Sequence, residues 1–187
     1  MVAEAVAETA LVSQEPDRDD VFLRLIEQFE PALRRLAAAY FDREADRADL
    51  FQDIALALWQ AIPSFRRESS ERTWLYRIAH NVAISSSAKT HRQAKREEFL
   101  SEEFEHPSAA AGAEQGLLLG EKRRALVDSI RRLAATDRQI MLLHLEGLSY
   151  ADIEEVSGFS ETAVATRLSR IRAKLKEEIR KREVGKP

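Results

Sequence analysis

Apolar positions recur along this chain at three- and four-residue spacing, and no segment alternates in the two-residue rhythm of a half-buried strand. The pattern predicts an all-α protein. Phe22, Leu25, Ile26, Phe29, Leu33 and Leu36 form the first stripe and predict a helix from Val21 to Phe41, interrupted by Pro31. Leu50, Ile54, Leu58 and Ile62 form the second, with Asp46 or Asp49 as its cap and Pro63 as its stop. A polar loop at 64–71 leads into a third helix from about Arg72 to His91, carrying Trp74, Leu75, Ile78, Val82 and Ile84 on one side. Periodicity then fades over 98–120, a stretch rich in Ala, Gly, Ser and Glu. It resumes with Leu126, Ile130 and Leu133. Next comes a helix capped by Thr136 and ended by Gly147, carrying Ile140, Leu142, Leu143 and Leu145. Ser149 caps a short helix, Gly158 makes a turn, and Ser160 caps a long final helix. The expected architecture is two small helical domains, over 21–97 and 121–184. A flexible acidic linker over 98–120 joins them, and a disordered tail over 1–20 precedes them.

Charge sharpens this division. The whole chain, at −3, is no polycation, yet its charge is distributed in blocks. Residues 1–64 carry 6 basic side chains against 13 acidic ones, and residues 65–99 carry 8 against 4. The next stretch, 100–120, has 4 acidic side chains and no basic one, whereas 121–187 carries 15 basic against 11 acidic. Blocks of alternating sign suit different partners for different segments, although ordinary surface variation produces them too. The absence of cysteine excludes disulfides and thiolate metal sites. No apolar run is long enough to span a bilayer, and the acidic N-terminus lacks the basic start of a signal peptide. A cytoplasmic protein without membrane insertion is expected.

The most informative local pattern is the run Ser149–Arg167, a short capped helix, a glycine turn and a second capped helix. In that second helix Val164, Leu168, Ile171, Leu175 and Ile179 make one buried stripe. Thr162, Ala165, Thr166, Ser169 and Arg170 fall on other faces near its start, where small and hydroxylated residues let a helix sit close in a major groove. Arg167, Arg170, Arg172, Lys174 and Lys176 supply charge for phosphates. A plain helical hairpin with a solvated basic end fits the same spacing.

The residues from Thr136 through Ile153, followed by Ser160 to Leu175, resemble region 4 of bacterial RNA polymerase sigma factors. The resemblance implies a helix-turn-helix reader of the minus-thirty-five promoter element. Carried over by position, Ser160, Thr162, Ala163, Ala165, Thr166, Ser169 and Arg170 face the bases, while Tyr150 and Arg167 touch backbone. Two positions depart from the family pattern. Glu154 stands where a small Ala is usual, and Ala165 stands where Lys or Arg is frequent and so lacks a cationic contact.

The stretch from Asp49 to Arg66, continued by Ser69–Ala83, resembles region 2 of the same family, in its extracytoplasmic-function (ECF) group. The resemblance implies that Asp49, Gln52 and Asp53 bind the clamp helices of the polymerase's large subunit. A solvated acidic face reads the same way from sequence alone. It also implies that Phe65, Arg66, Arg67, Ser69, Ser70 and Arg72 form the loop that captures a flipped base of the minus-ten element, with Arg77, His80 and Asn81 along the exposed strand. Extruding a base costs a few kcal/mol, which a pocket in a cationic loop offsets. After Asn81 the family often continues with an Arg-rich run, whereas this chain has the milder 85–92. Trp59 and Trp74 are expected in the core, and His80 and His91 lack the companions of a metal site.

The two resemblances occur in order across nearly all of 21–183. They imply a sigma factor that docks on core polymerase, opens promoter DNA, and is held inactive by an anti-sigma factor. No cofactor is expected, and there is no phosphate loop or catalytic constellation to suggest an enzyme. Two other readings fit: a sigma-like decoy, and a helix-turn-helix regulator that does not itself initiate transcription.

Overall fold

The computed structural model describes residues 17–100 and 117–184, and every regular element among them is helical. The expected tail therefore lies outside the described residues up to residue 16, and most of the expected linker, 101–116, does too. Seven α-helices are seen: α1 (Arg18–Tyr40), α2 (Glu44–Ala61), α3 (Glu71–Leu100), α4 (Leu117–Arg131), α5 (Ala135–Leu145), α6 (Tyr150–Ser157) and α7 (Glu161–Val184). A 3-10 turn at Ile62–Ser64 follows α2, with Pro63 in its first turn, where the missing N–H costs nothing.

The first three helices pack into one bundle. Leu25, Leu33 and Leu36 of α1 meet Leu50, Ile54 and Leu58 of α2 and Leu75, Ala79 and Ala83 of α3, all of them essentially sealed from solvent. Pro31 sits inside α1, which continues as one helix. Buried Phe29, Ala32, Leu33 and Leu36 flank it, so tertiary packing outweighs the backbone hydrogen bond that proline forfeits. The second bundle closes over Ile140, Leu143, Ile153, Val164, Leu168 and Ile171, from α5, α6 and α7.

Several helix ends differ from the sequence expectation. Arg43 and not an aspartate precedes α2, and Asp46 lies within its first turn, where its charge suits the helix dipole without capping. Likewise Ala134 is the cap position of α5, and Thr136 lies one step inside the helix. The third helix runs on to Leu100, well past His91, and α4 starts at Leu117. From Ala88 to Gln93 the side chains of α3 are exposed, so this part of the helix extends beyond the core. By contrast, the caps of the helix-turn-helix are as expected. The Ser149 side chain accepts from the Asp152 N–H, and Asp152 accepts in turn from the Ser149 N–H, a complete capping box. Gly158 adopts φ +75°, the left-handed turn that glycine enters without steric cost.

The two bundles pack against each other. Helix α1 meets α4, and α3 meets α5 and α6.

Candidate polymerase and nucleic-acid interfaces

The outer face of α2 is the simplest site. Asp49, Gln52 and Asp53 are all exposed and, with Leu56, occupy the i, i+3, i+4, i+7 positions of one helix face. Leu56 is 54% exposed, a large apolar side chain amid unpaired carboxylates. Such a face suits a partner that offers cations around an apolar patch. Sequence periodicity flags Leu56 only as a leucine off the Leu50–Ile54–Leu58 stripe. Trp59 lies on the same outer side and is 37% exposed, not in the core as expected. The Arg18 guanidinium stacks 3.3 Å from its ring centre, and its indole N–H donates to Asp19 Oδ1 at 3.1 Å, so a surface clasp replaces core packing.

The loop before α3 forms the second site. Phe65 is half-buried, its ring 4.7 Å from that of buried Trp74. Arg66 and Arg67 project into solvent, and Arg67 holds φ +57°, a left-handed backbone unusual for a non-glycine residue. Ser69 is half-buried and Ser70 exposed. Ser70 starts α3, its hydroxyl accepting from the Thr73 N–H at 3.0 Å. Glu71 pairs with both terminal nitrogens of Arg24 at 2.8 and 3.0 Å, which holds its carboxyl below the usual range. The loop thus presents two exposed cations, Arg66 and Arg67, on a frame fixed by the Phe65–Trp74 stack and the Ser70 cap.

Along α3 the expected strand-facing residues separate. Asn81 is exposed. Arg72 donates through a terminal nitrogen to the Glu146 carbonyl, and Arg77 lies 3.7 Å from Glu155. His80 is fully buried, its ring flanked by Tyr40 and Tyr76 at 6.4 and 6.3 Å between centroids. Burial alone pushes its pKa down to about 3, so the ring is neutral at physiological pH. Among the described residues no cluster of side chains could hold a metal ion.

In the third site, α6 and α7 frame the helix-turn-helix. Thr162, Thr166, Ser169 and Arg170 are exposed along one side of α7, with Ala163 and Ala165 between them half-buried. Ser160 stands at the cap, its hydroxyl 3.4 Å from the Ala163 N–H. Tyr150 is half-buried at the start of α6, 6.2 Å from the His144 ring. Arg167 pairs with Asp137 of α5 at 2.9 Å and lies 4.5 Å above the Phe159 ring, so it braces α7 against α5. Glu154 does not intrude between the helices. It is exposed, and its Oε2 accepts from the Glu161 N–H at 2.9 Å, satisfying a free donor at the start of α7. A carboxylate there also complements the positive end of the helix dipole.

Comparisons with known proteins assign a family to each bundle. Residues 25–93 match the family model for Sigma-70 region 2, and residues 123–175 match Sigma-70, region 4. The chain is 31% identical over 186 residues to the ECF RNA polymerase sigma-E factor of Haemophilus influenzae, covering 95% of this chain and 98% of that one. It is 31% identical over 139 residues to the RNA polymerase sigma factor YlaC of Bacillus subtilis, covering 71% of this chain and 77% of the relative. Among solved structures, the sigma factor RpoE of Bartonella quintana, in complex with the anti-sigma factor NepR, shares the fold. The TM-score is 0.66 at 24% identity, over 86% of this chain and 97% of that one. The chain belongs to the ECF group of RNA polymerase sigma factors. As such it binds core polymerase and directs promoter-specific initiation of transcription. Among the described residues no helix is long and apolar enough to cross a membrane.

Proposed function

We propose that each of the three faces performs one step of initiation. Asp49, Gln52 and Asp53, with Leu56 at their centre, dock on the clamp helices of the polymerase. The loop from Phe65 to Ser70, joined by Arg72, Arg77, His80 and Asn81, captures and holds the opened minus-ten strand. Ser160, Thr162, Ala163, Ala165, Thr166, Ser169 and Arg170 read the minus-thirty-five element, with Tyr150 and Arg167 toward its backbone. The functional division is 21–97 for docking and melting, 98–120 as the linker and 121–184 for upstream reading. The chain works in the cytoplasm, performs no catalysis of its own and is restrained by an anti-sigma factor. The observation that carries this reading is the exposed α2 face, an acidic pair around an uncovered leucine in the domain that matches region 2.

In vitro transcription tests it. Core polymerase, this protein and a pool of genomic fragments from its host should yield transcripts that are absent without the protein. Asp53→Ala should lower core binding about tenfold, the loss of one charged contact at a docking face. Core binding without any transcript would make the chain a decoy. No core binding would leave only a DNA-binding helix-turn-helix.

A further inference from the structure

Glu154 closes one helix and opens the next. It stands exposed on α6, between buried Ile153 and Glu155. Its carbonyl accepts from the Gly158 N–H at 2.8 Å, which ends α6 in the left-handed turn. Its carboxylate accepts at 2.9 Å from the N–H of Glu161, the first residue of α7. Ser160, at the usual cap position, makes only a 3.4 Å contact to the Ala163 N–H. The carboxylate is therefore the stronger partner of the exposed donors at this helix end.

That end of α7 is the one a helix-turn-helix inserts into the groove, while the first helix of the pair crosses the DNA backbone. The neighbouring acids are neutralised. Glu155 faces Arg77 at 3.7 Å and Asp137 pairs with Arg167 at 2.9 Å, whereas Glu154 and Glu161 have no cationic partner among the described residues. The first six residues of α7 carry no basic side chain, and Arg167 is held by Asp137. Exposed Arg170 stands roughly 13 Å beyond Glu161 along the helix axis, farther than the roughly 8 Å over which physiological salt screens a charge.

A helix N-terminus ordinarily favours DNA phosphates through its N–H groups and its dipole. Here a carboxylate already takes one donor, and its charge meets the phosphates with the wrong sign. Phosphate contacts set affinity and position but carry no sequence information.

We infer that Glu154 sets the strength of upstream duplex binding: seated on the start of α7, its carboxylate weakens phosphate contact equally at every sequence and leaves recognition to the base-facing residues. This rests on the proposed reading role of α7.

Glu154→Gln tests it, because the amide keeps the shape and an oxygen for the Glu161 N–H while the charge is removed. Holoenzyme assembled from core polymerase and the full chain is titrated with duplex promoter fragments over a series of salt concentrations. One fragment carries the upstream element of a promoter found by the transcription assay, and the other carries a scrambled element. Glu154→Gln should tighten binding to both by roughly three- to tenfold at low salt and steepen the salt dependence by about one unit of slope. The preference between the two fragments should stay as it was. Glu161→Gln removes an exposed charge from the same turn without touching the hydrogen bond, and should gain less than about twofold. Unmoved affinity and slope in Glu154→Gln would overturn the inference. A changed preference would overturn it too, because the carboxylate would then be reading a base, as acids do at cytosine amino groups. An equal gain from Glu161→Gln would reduce the effect to bulk charge and remove the special place of Glu154. If the unaltered holoenzyme holds both fragments alike, the reading role of α7 itself fails, and the inference falls with it whatever Glu154→Gln does.

Discussion

The two surfaces proposed to meet DNA in this sigma factor are built in opposite ways. On α7 the residues proposed to read bases, Thr162, Thr166, Ser169 and Arg170, are exposed and leave the fold indifferent to their identity. On α3, Arg72, Arg77 and His80 are structural parts of a closed seam between the two bundles, buried or paired across it, and Asn81 alone of that set is exposed. A surface reader can therefore be altered at small cost in stability, while a covered one couples every change in recognition to the closure of the molecule.

The largest effect on the closed seam is expected at Tyr76. Its ring packs edge-on against Phe29 at 6.2 Å, and its hydroxyl, pushed up to about 12 chiefly by burial and then by Glu146, stays protonated as a donor. Tyr76→Ala should destabilise the chain by about 3–5 kcal/mol in denaturant unfolding. A cost under about 1 kcal/mol would show that the seam is not closed in solution.

Next in size is a pH effect. Burial holds His80 at about 3 against its ordinary 6.5, with the Tyr40 and Tyr76 rings beside it and Arg138 behind Tyr40. Below pH 6.5 the opened or unfolded chain gains a proton on this ring that the closed fold refuses. Closed-state stability is therefore full above pH 6.5 and falls as the pH drops toward 3, at a limiting rate of about 1.4 kcal/mol per unit. His144, also lowered by burial and by Arg172, acts in the same direction. The carboxyls of Glu71 and Asp152 are both held below their ordinary values, so they enter only at more acid pH. Thermal melts between pH 7 and 5 should show the decline, and His80→Phe should flatten most of it. An unchanged slope in that variant would place the proton uptake elsewhere.

Smaller still is Glu154→Ala, which removes the cap on the start of α7 and should cost about 1 kcal/mol. A stabilising result would show that the carboxylate crowds the turn. The smallest structural effect belongs to Arg170→Ala, within about 0.5 kcal/mol by denaturation. It should nonetheless reduce transcription from the cognate promoter with core binding intact. Loss of core binding would contradict the assignment of α7.

How far the sequence discloses these features follows from the range of the interactions. Leu50, Ile54 and Leu58, and the Ser149–Asp152 capping box, are local patterns and read directly. Trp59 misleads because an aromatic ring beside an apolar stripe looks like core until Arg18 and Asp19 are seen to clasp it from another helix. The site divides in the same way. Exposed faces on α2 and α7 follow from helical spacing and resemblance. The cover over α3 depends on pairs such as Tyr76–Glu146 and Arg35–Glu146, separated by 70 and 111 residues, and no periodicity encodes such a pairing. Glu154 shows the converse: a departure from the family pattern at a packing position proves to be a helix cap.

The stretch between Leu100 and Leu117 joins the two bundles covalently, and this decides what can compete with the seam. At ~3.4 Å per residue it reaches on the order of 50 Å, so the bundles can part widely without escaping one another. Tethered partners meet at an effective concentration in the millimolar range, on the order set by short linkers. Dilution therefore cannot open the molecule, and its closed fraction is independent of how much of it the cell makes. Opening must come from a surface that outbids millimolar self-contact, which sets a threshold affinity for any competitor of the seam.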